Sequence, residues 1–295
     1  MKTPNIDKLA TEGIIFENAY VQPYCSPSRT AFMSGMFPFK VGMQHAVLID
    51  SQASCVPLNY TFLPQELKKL GYATHMVGKY VPQAHYNTVF VAYDIGFLIY
   101  TFAQKAVYII NQHEVSQPPF MYLPYQNVHA PIEEICEAVG NVTKALKEKG
   151  LFENTLILFT TDNGGPLGNN ANNWPLRGGK HTIWEGGTRG TSFMYGTGLK
   201  KTKTTYNGMI HAVDWNPTLV SAAGGTPEAS IDGTTHWESI RNGLPSSRTE
   251  FIYNIDDFEP ALEGHAAIRV GDYKLILGYP GELMAGTSLG TLHGG

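Results

Sequence analysis

A cysteine followed four residues later by an arginine, Cys25-Ser26-Pro27-Ser28-Arg29, is where residue types and spacing in this chain first point to chemistry. Pro27 fixes φ and suits a first helical turn, Thr30 to Ser34 continue the helix, and Gly35 stops it. Cys25 then lies near a helix N-terminus, where unpaired N–H groups and the positive end of the dipole favour an anion. Arg29, one turn along, adds a fixed guanidinium. A cysteine-dependent phosphatase loop does not fit, because its arginine would fall where Ala31 stands. A lone cysteine is more often a buried, inert side chain. A second cluster, Thr160-Thr161-Asp162-Asn163-Gly164-Gly165, closes an apolar strand, and ligands gather at the carboxyl ends of strands in open α/β sheets. Asp162 and Asn163 offer hard oxygens that suit Ca²⁺ or Mg²⁺ rather than zinc, although such a run taken alone is usually a turn.

The elements that must position these residues alternate between strand and helix. Thr3 can cap a helix that opens with Pro4 and stops at Gly13, and Ile14 to Phe16 follow as a strand. Leu63 to Gly71 reads as a short helix, then Tyr72 to Val77 as a strand. Phe120 to Leu123 and Thr155 to Thr160 read as buried strands, with Ile135, Val139, Val142 and Leu146 spaced along one helical face between them. Thr191 to Tyr195 is a further strand, and Val213 to Ala223 a helix closed by Gly224-Gly225. This is an α/β plan with a mostly parallel central sheet. Beyond it, Phe251 to Tyr253, Ala266 to Val270 and Tyr273 to Leu277 look like short antiparallel strands, with Gly271-Asp272 as a hairpin turn. The expected division is a large α/β domain over residues 1–250 and part of a small antiparallel subdomain over 251–295.

At 295 residues and 43% hydrophobic content the chain can bury a large core. A formal net charge of -4 gives no basic surface for nucleic acid. The longest apolar stretch, Ile95 to Ala103, is too short to span a bilayer. Cys25, Cys55 and Cys136 form no zinc pattern. Asn59-Tyr60-Thr61 and Asn141-Val142-Thr143 are N-glycosylation sequons, lightly weighted because such tripeptides are common. Met1-Lys2-Thr3-Pro4 carries no apolar signal-peptide core. Trp174, Trp184 and Trp215 could form a carbohydrate-stacking surface, although tryptophans are usually packed into the core or its edge.

The run from Gln22 to Gly35 resembles the sulfatase signature around the active-site cysteine, and other segments extend the resemblance over residues 2–79 and 118–280. Gly71-Tyr72-Ala73-Thr74-His75-Met76-Val77-Gly78-Lys79 resembles the second sulfatase signature, and Asp162-Asn163-Gly164-Gly165 the metal motif. Asn127-Val128-His129-Ala130-Pro131, preceded by Tyr122 to Gln126, and Arg177 to Gly187 resemble two further family segments. The resemblance implies an alkaline-phosphatase-like α/β fold and hydrolysis of a sulfate ester of a glycosaminoglycan or aryl alcohol. It also implies that a formylglycine-generating enzyme oxidises Cys25 to formylglycine, whose hydrate is the nucleophile. By the same match Cys25, Asp162 and Asn163 ligate Ca²⁺, Arg29, Lys79 and Lys180 bind the sulfuryl oxygens, and His129 contacts the ester oxygen and assists the leaving alcohol. His211, Asp214 and Trp215 match a family segment but read as structural, and His181 is a weaker candidate beside Lys180. A sulfated small molecule or sugar is the implied partner, and a lysosomal or secreted location the implied compartment.

Two departures stand out. Tyr80-Val81-Pro82-Gln83 occupies the place of the family's Trp-His-Leu-Gly, so nothing here matches that histidine, and His85 is out of register. The family's opening strand with its paired metal-binding aspartates precedes the matched region. Alternatives are a sulfatase-like protein that keeps an anion pocket without turnover, and a phosphodiesterase of the same superfold. The proline and arginine after Cys25 favour a sulfatase over the phosphodiesterase.

Overall fold

The computed structural model describes residues 2–44, 56–57, 59–78, 98–125, 133–167, 171–255 and 266–281. Lys79, His129, Cys55, His85 and the Tyr80 to Gln83 segment lie outside the described residues. In chain order the helices are α1 (Pro4–Glu12), α2 (Cys25–Ser34), α3 (Leu63–Lys69), α4 (Leu98–Gln112), α5 (Glu133–Glu148), α6 (Glu185–Thr188), α7 (Trp215–Ala222) and α8 (Trp237–Asn242). The strands are β1 (Ile14–Phe16), β2 (Ala19–Tyr20), β3 (Ala73–Met76), β4 (Pro119–Tyr122), β5 (Leu156–Thr160), β6 (Ser192–Gly196), β7 (Thr204–Tyr206), β8 (Ile210–His211), β9 (Glu250–Ile255), β10 (Ala266–Val270) and β11 (Tyr273–Leu277).

Four strands form a sheet in the order β5-β6-β1-β7. Successive side chains of a strand point to opposite faces, and the apolar residues here divide accordingly. Ile14, Phe16, Met194, Leu156 and Leu158 join one core with Trp215, Trp237 and Ile240 of α7 and α8. Ile15, Phe193, Tyr195, Ile157 and Phe159 join another with Leu9 of α1, Ile110 of α4 and Val139, Val142 and Leu146 of α5. Both faces are therefore covered by helices, which is why these strands read as continuous apolar runs rather than alternating ones. Within the first core the Phe16 ring meets Trp215 edge-on at 5.2 Å. A third core unites Met33 of α2, Leu63 and Leu67 of α3 and Val220 of α7.

The α/β class with a separate antiparallel sheet agrees with the sequence reading, but the central sheet is mixed. β6 runs antiparallel to both β5 and β1, and β1 is parallel to β7. The pairs β2 with β8 and β3 with β4 are parallel. Between β5 and β6 the described residues hold no α-helix but the single-turn α6, and no crossover helix among them imposes the parallel direction. β4 and β5 are also half-buried rather than buried. Thr3 takes the N-cap position of α1 without capping it. Its hydroxyl instead donates to the Asp7 carboxylate at 2.7 Å.

The second sheet has the order β11-β10-β9, antiparallel throughout, with a register shift between Ala267 and Ile268. Charged side chains anchor it to α6. Lys274 Nζ donates to Glu185 Oε1 at 3.0 Å, to Thr188 Oγ1 at 3.2 Å and to the Ile183 carbonyl, and Arg269 Nη1 reaches the same Glu185 oxygen at 3.4 Å. Burial pulls the Lys274 ammonium down to about 8, against the opposing pull of Glu185. Ile183 N–H also donates to the Pro280 carbonyl at 2.8 Å. No helix among the described residues is long and apolar enough to cross a membrane.

Candidate active site

The helix carrying the cysteine begins earlier than Pro27 indicates. Cys25 is itself the first residue of α2, after Tyr24 in extended conformation, so Pro27 falls in the first turn, where its missing N–H would have had no helical partner. Ser28 fixes this start. Its Oγ accepts from Gln22 N–H at 2.9 Å and donates to the Tyr24 carbonyl at 2.9 Å, folding the incoming strand end over the helix. At the other end Gly35 adopts φ 70°, as a left-handed helix stop requires. Cys25 is buried.

Arg29, one turn on, is only 8% exposed and points at the end of β5. Its Nε donates to Asp162 Oδ2 at 2.9 Å and its Nη2 contacts the same oxygen at 2.8 Å. Burial works against the guanidinium charge, but Tyr122, Asp162 and the Cys25 sulfur together outweigh it and hold Arg29 above its ordinary range. Tyr122, at the end of β4, is a neighbour that sequence reasoning had not singled out. Burial pushes its phenol up to about 12 despite the nearby arginine, so it stays neutral, and its ring stacks on Phe32 of α2 at 5.9 Å. The available signal was its position at a strand end just before the His129 segment.

Asn163 differs from its neighbour. Its Nδ2 donates to the Gly164 carbonyl at 2.8 Å, while its Oδ1 is buried and has no hydrogen-bond partner among the described residues. A buried acceptor without a donor is costly unless something electropositive meets it. Together with the Asp162 carboxylate, whose Arg29 contacts fall on Oδ2, this donor set has the hard-oxygen chemistry a Ca²⁺ ion takes. Among the described residues no group of three or more His, Cys, Asp or Glu side chains forms a metal cluster.

The next loops interlock through glycine. A Cβ on Gly164 would lie 1.6 Å from the Gly186 carbonyl oxygen, so only hydrogen fits there. Gly164 N–H donates to Gly187 O at 2.9 Å, and Lys180 N–H to Gly165 O at 3.2 Å. His181 N–H donates in turn to Pro23 O at 3.1 Å, and its ring meets Tyr24 edge-on at 4.5 Å. His181 holds φ 75°, a left-handed conformation uncommon outside glycine, at the point where the Lys180 loop joins the Cys25 loop. The structure thus brings Cys25, Arg29, Asp162 and Asn163 together and ties the backbone of Lys180 between them. Lys79 and His129, outside the described residues, are not placed.

His211 and Asp214 lie behind α2 and are fully buried. Asp214 accepts from Arg248 Nε and Nη2 at 2.6 Å each, and from the N–H groups of His211 and Thr234 at 2.8 Å each. Against the opposing effect of burial, the His236 ring, 3.3 Å away, and the Arg248 guanidinium hold its carboxyl well below the usual range, and burial brings His211 down to about 3. This is scaffold chemistry, as the sequence reading had it. Trp215 is likewise core, at 1% exposure, whereas Trp174 is 84% exposed, contrary to the packed position expected for a tryptophan.

A family model for sulfatases matches residues 1–137 and 132–225. The chain is 34% identical to mouse arylsulfatase J over 95% of its own length and 61% of that protein. It is 26% identical to human N-acetylgalactosamine-6-sulfatase over 89% of its own length and 66% of that protein. It therefore spans roughly three fifths to two thirds of these curated relatives. The crystal structure of Ps i-CgsB superposes with a TM-score of 0.81 at 25% identity, covering 93% of this chain and 78% of that one. The motifs, their convergence in space and these likenesses agree: the chain belongs to the sulfatase family.

Proposed function

We propose that this chain carries the centre of a sulfuric ester hydrolase of arylsulfatase type, acting on sulfate esters such as those of glycosaminoglycans. The observation that carries the reading is the Arg29–Asp162 pair, which joins the cysteine motif to the strand-end motif, while Lys180 is tied to the same loop. Formylglycine made from Cys25 would supply, as its hydrate, the attacking oxygen. Ca²⁺ held by that group, Asp162 and Asn163 would supply positive charge for the sulfuryl oxygens.

The chain's own residues do the remainder. The first turn of α2 presents N–H groups and the positive dipole end to the anionic ester. Arg29 stays charged at every working pH and is immobilised by Asp162, so its field needs no reorganisation when charge builds on the sulfuryl oxygens. Lys180 adds a second cation, and Lys79 and His129 take the sulfate-binding and leaving-group roles that the family match gives them. An imidazole has a suitable pKa for protonating a departing alcohol. We also propose the division at about residue 250, and a lysosomal or secreted location, for which the two sequons are the support. The test is sulfate release from 4-nitrophenyl sulfate by protein co-expressed with a formylglycine-generating enzyme, with Cys25→Ala as control. Equal rates for the two proteins would refute the reading.

A further inference from the structure

The loop before Lys180 holds two exposed side chains that the chemistry above does not use. Trp174 presents its indole to solvent at 84% exposure. Arg177 is exposed too, with its guanidinium 3.9 Å over the Trp184 ring, and among the described residues no carboxylate pairs with it. A large exposed indole costs hydrophobic free energy, and an exposed guanidinium resting on an aromatic ring still has N–H donors to offer a planar anion.

The loop itself is tied to the site. Asn173 Oδ1 accepts from Gly165 N–H at 2.9 Å, and Asn173 Nδ2 donates to Gly165 O at 2.8 Å and Gly178 O at 3.1 Å. Trp174 N–H donates to Asn172 Oδ1 at 2.9 Å, and Gly186 N–H donates to Arg177 O at 2.7 Å. Gly165 lies two residues past Asn163, and Trp174 follows Asn173 directly. With Cα steps of about 3.8 Å, Trp174 stands at most about 18 Å from Asn163. The loop that carries Trp174 is thus hydrogen-bonded directly to the strand-end loop that carries Asp162 and Asn163.

We infer that Trp174 and Arg177 form a subsite for a neighbouring sugar ring that stacks on the indole and carries its own anionic group, sulfate or carboxylate, paired with the guanidinium. The inference rests on the sulfatase reading and narrows it: the substrate is an acidic oligosaccharide rather than an isolated sulfate ester. Arg177 is already immobilised on Trp184 and an indole has only two rotatable side-chain bonds, so little conformational entropy is lost on binding.

The test compares a chondroitin 4-sulfate tetrasaccharide with 4-nitrophenyl sulfate as substrates of the formylglycine-modified chain. For Trp174→Ala and for Arg177→Gln the ratio of kcat/KM, tetrasaccharide over aryl sulfate, is expected to fall at least about ten-fold, mainly through KM. Trp174→Phe should retain most of the ratio, and raised ionic strength should lower it in wild type more than in Arg177→Gln. An unchanged ratio in both variants overturns the subsite. If neither substrate turns over, the hydrolase reading fails by itself. The subsite is then judged by calorimetric titration of the tetrasaccharide into the Cys25→Ala chain. Binding weakened at least about ten-fold by adding Trp174→Ala supports it, and absent or unaltered binding overturns it.

Discussion

Separating Arg29 from Asp162 should cost far more than an ion pair at the surface. Arg29 is 8% exposed and its two donors converge on one oxygen of Asp162, whose side chain is 31% exposed. Breaking a fully buried pair costs about 3–5 kcal/mol, whereas an exposed one is worth about 0–1 kcal/mol. The partial hydration of Asp162 puts this pair at the low end of the buried range. Asp162→Asn, which strands the guanidinium, should therefore destabilise by about 3 kcal/mol, and Arg29→Met, which leaves a partly wet carboxylate, by about 2 kcal/mol. The double variant buries no unpaired charge, so it should be destabilised by about 3 kcal/mol, about 2 kcal/mol less than the sum of the singles. Denaturant unfolding of all four proteins reads the cycle, and Asp162→Asn should also lower the melting temperature by about 6 °C. A coupling below about 0.5 kcal/mol would refute the view that these residues act as one unit.

Three other perturbations follow from the same geometry. Ca²⁺ should raise the melting temperature of the wild-type chain, and Asn163→Ala should abolish that rise by deleting the unpartnered Oδ1; an equal rise in both would remove Asn163 from the metal site. Gly164→Ala should prevent the loops from closing, seen as loss of soluble protein or a cost of several kcal/mol, and a variant of wild-type stability would contradict the interlock. Lys274 is held near 8 in the folded chain and rises to its ordinary value on unfolding, so between the two the unfolded chain binds the extra proton and stability grows with pH. Wild type should accordingly gain on Lys274→Met, by up to about 3 kcal/mol, as pH rises from about 8 towards 10.5; a constant difference would show that Lys274 is not desolvated.

Some of this was legible before any coordinates. Cys25 at the head of a helix, Gly35 at its foot and Asp162 past a strand end follow from local rules of proline, glycine and apolar periodicity, which act over a few residues. The apolar run Leu156-Ile157-Leu158-Phe159, read as a buried strand, does supply side chains to the cores on both faces of the sheet. Contacts between distant segments were not. No local pattern gives the direction of β6 against β1, the meeting of Arg29 with Asp162, or the approach of Gly164 to Gly186, because each depends on how separate elements dock. Trp174 shows the reverse failure: the residue type argues for burial, and the Asn173 hydrogen bonds hold it out in solvent. Lys274 carries no sign in the sequence that it will be buried against Glu185.

The most direct test of the central claim is peptide mass spectrometry across residue 25 after expression through a secretory route with a formylglycine-generating enzyme. The account predicts the mass loss that turns the thiol into an aldehyde, together with hydrazine-sensitive release of sulfate from 4-nitrophenyl sulfate. An unaltered cysteine at position 25, or sulfate release that is the same in Cys25→Ala, would contradict it.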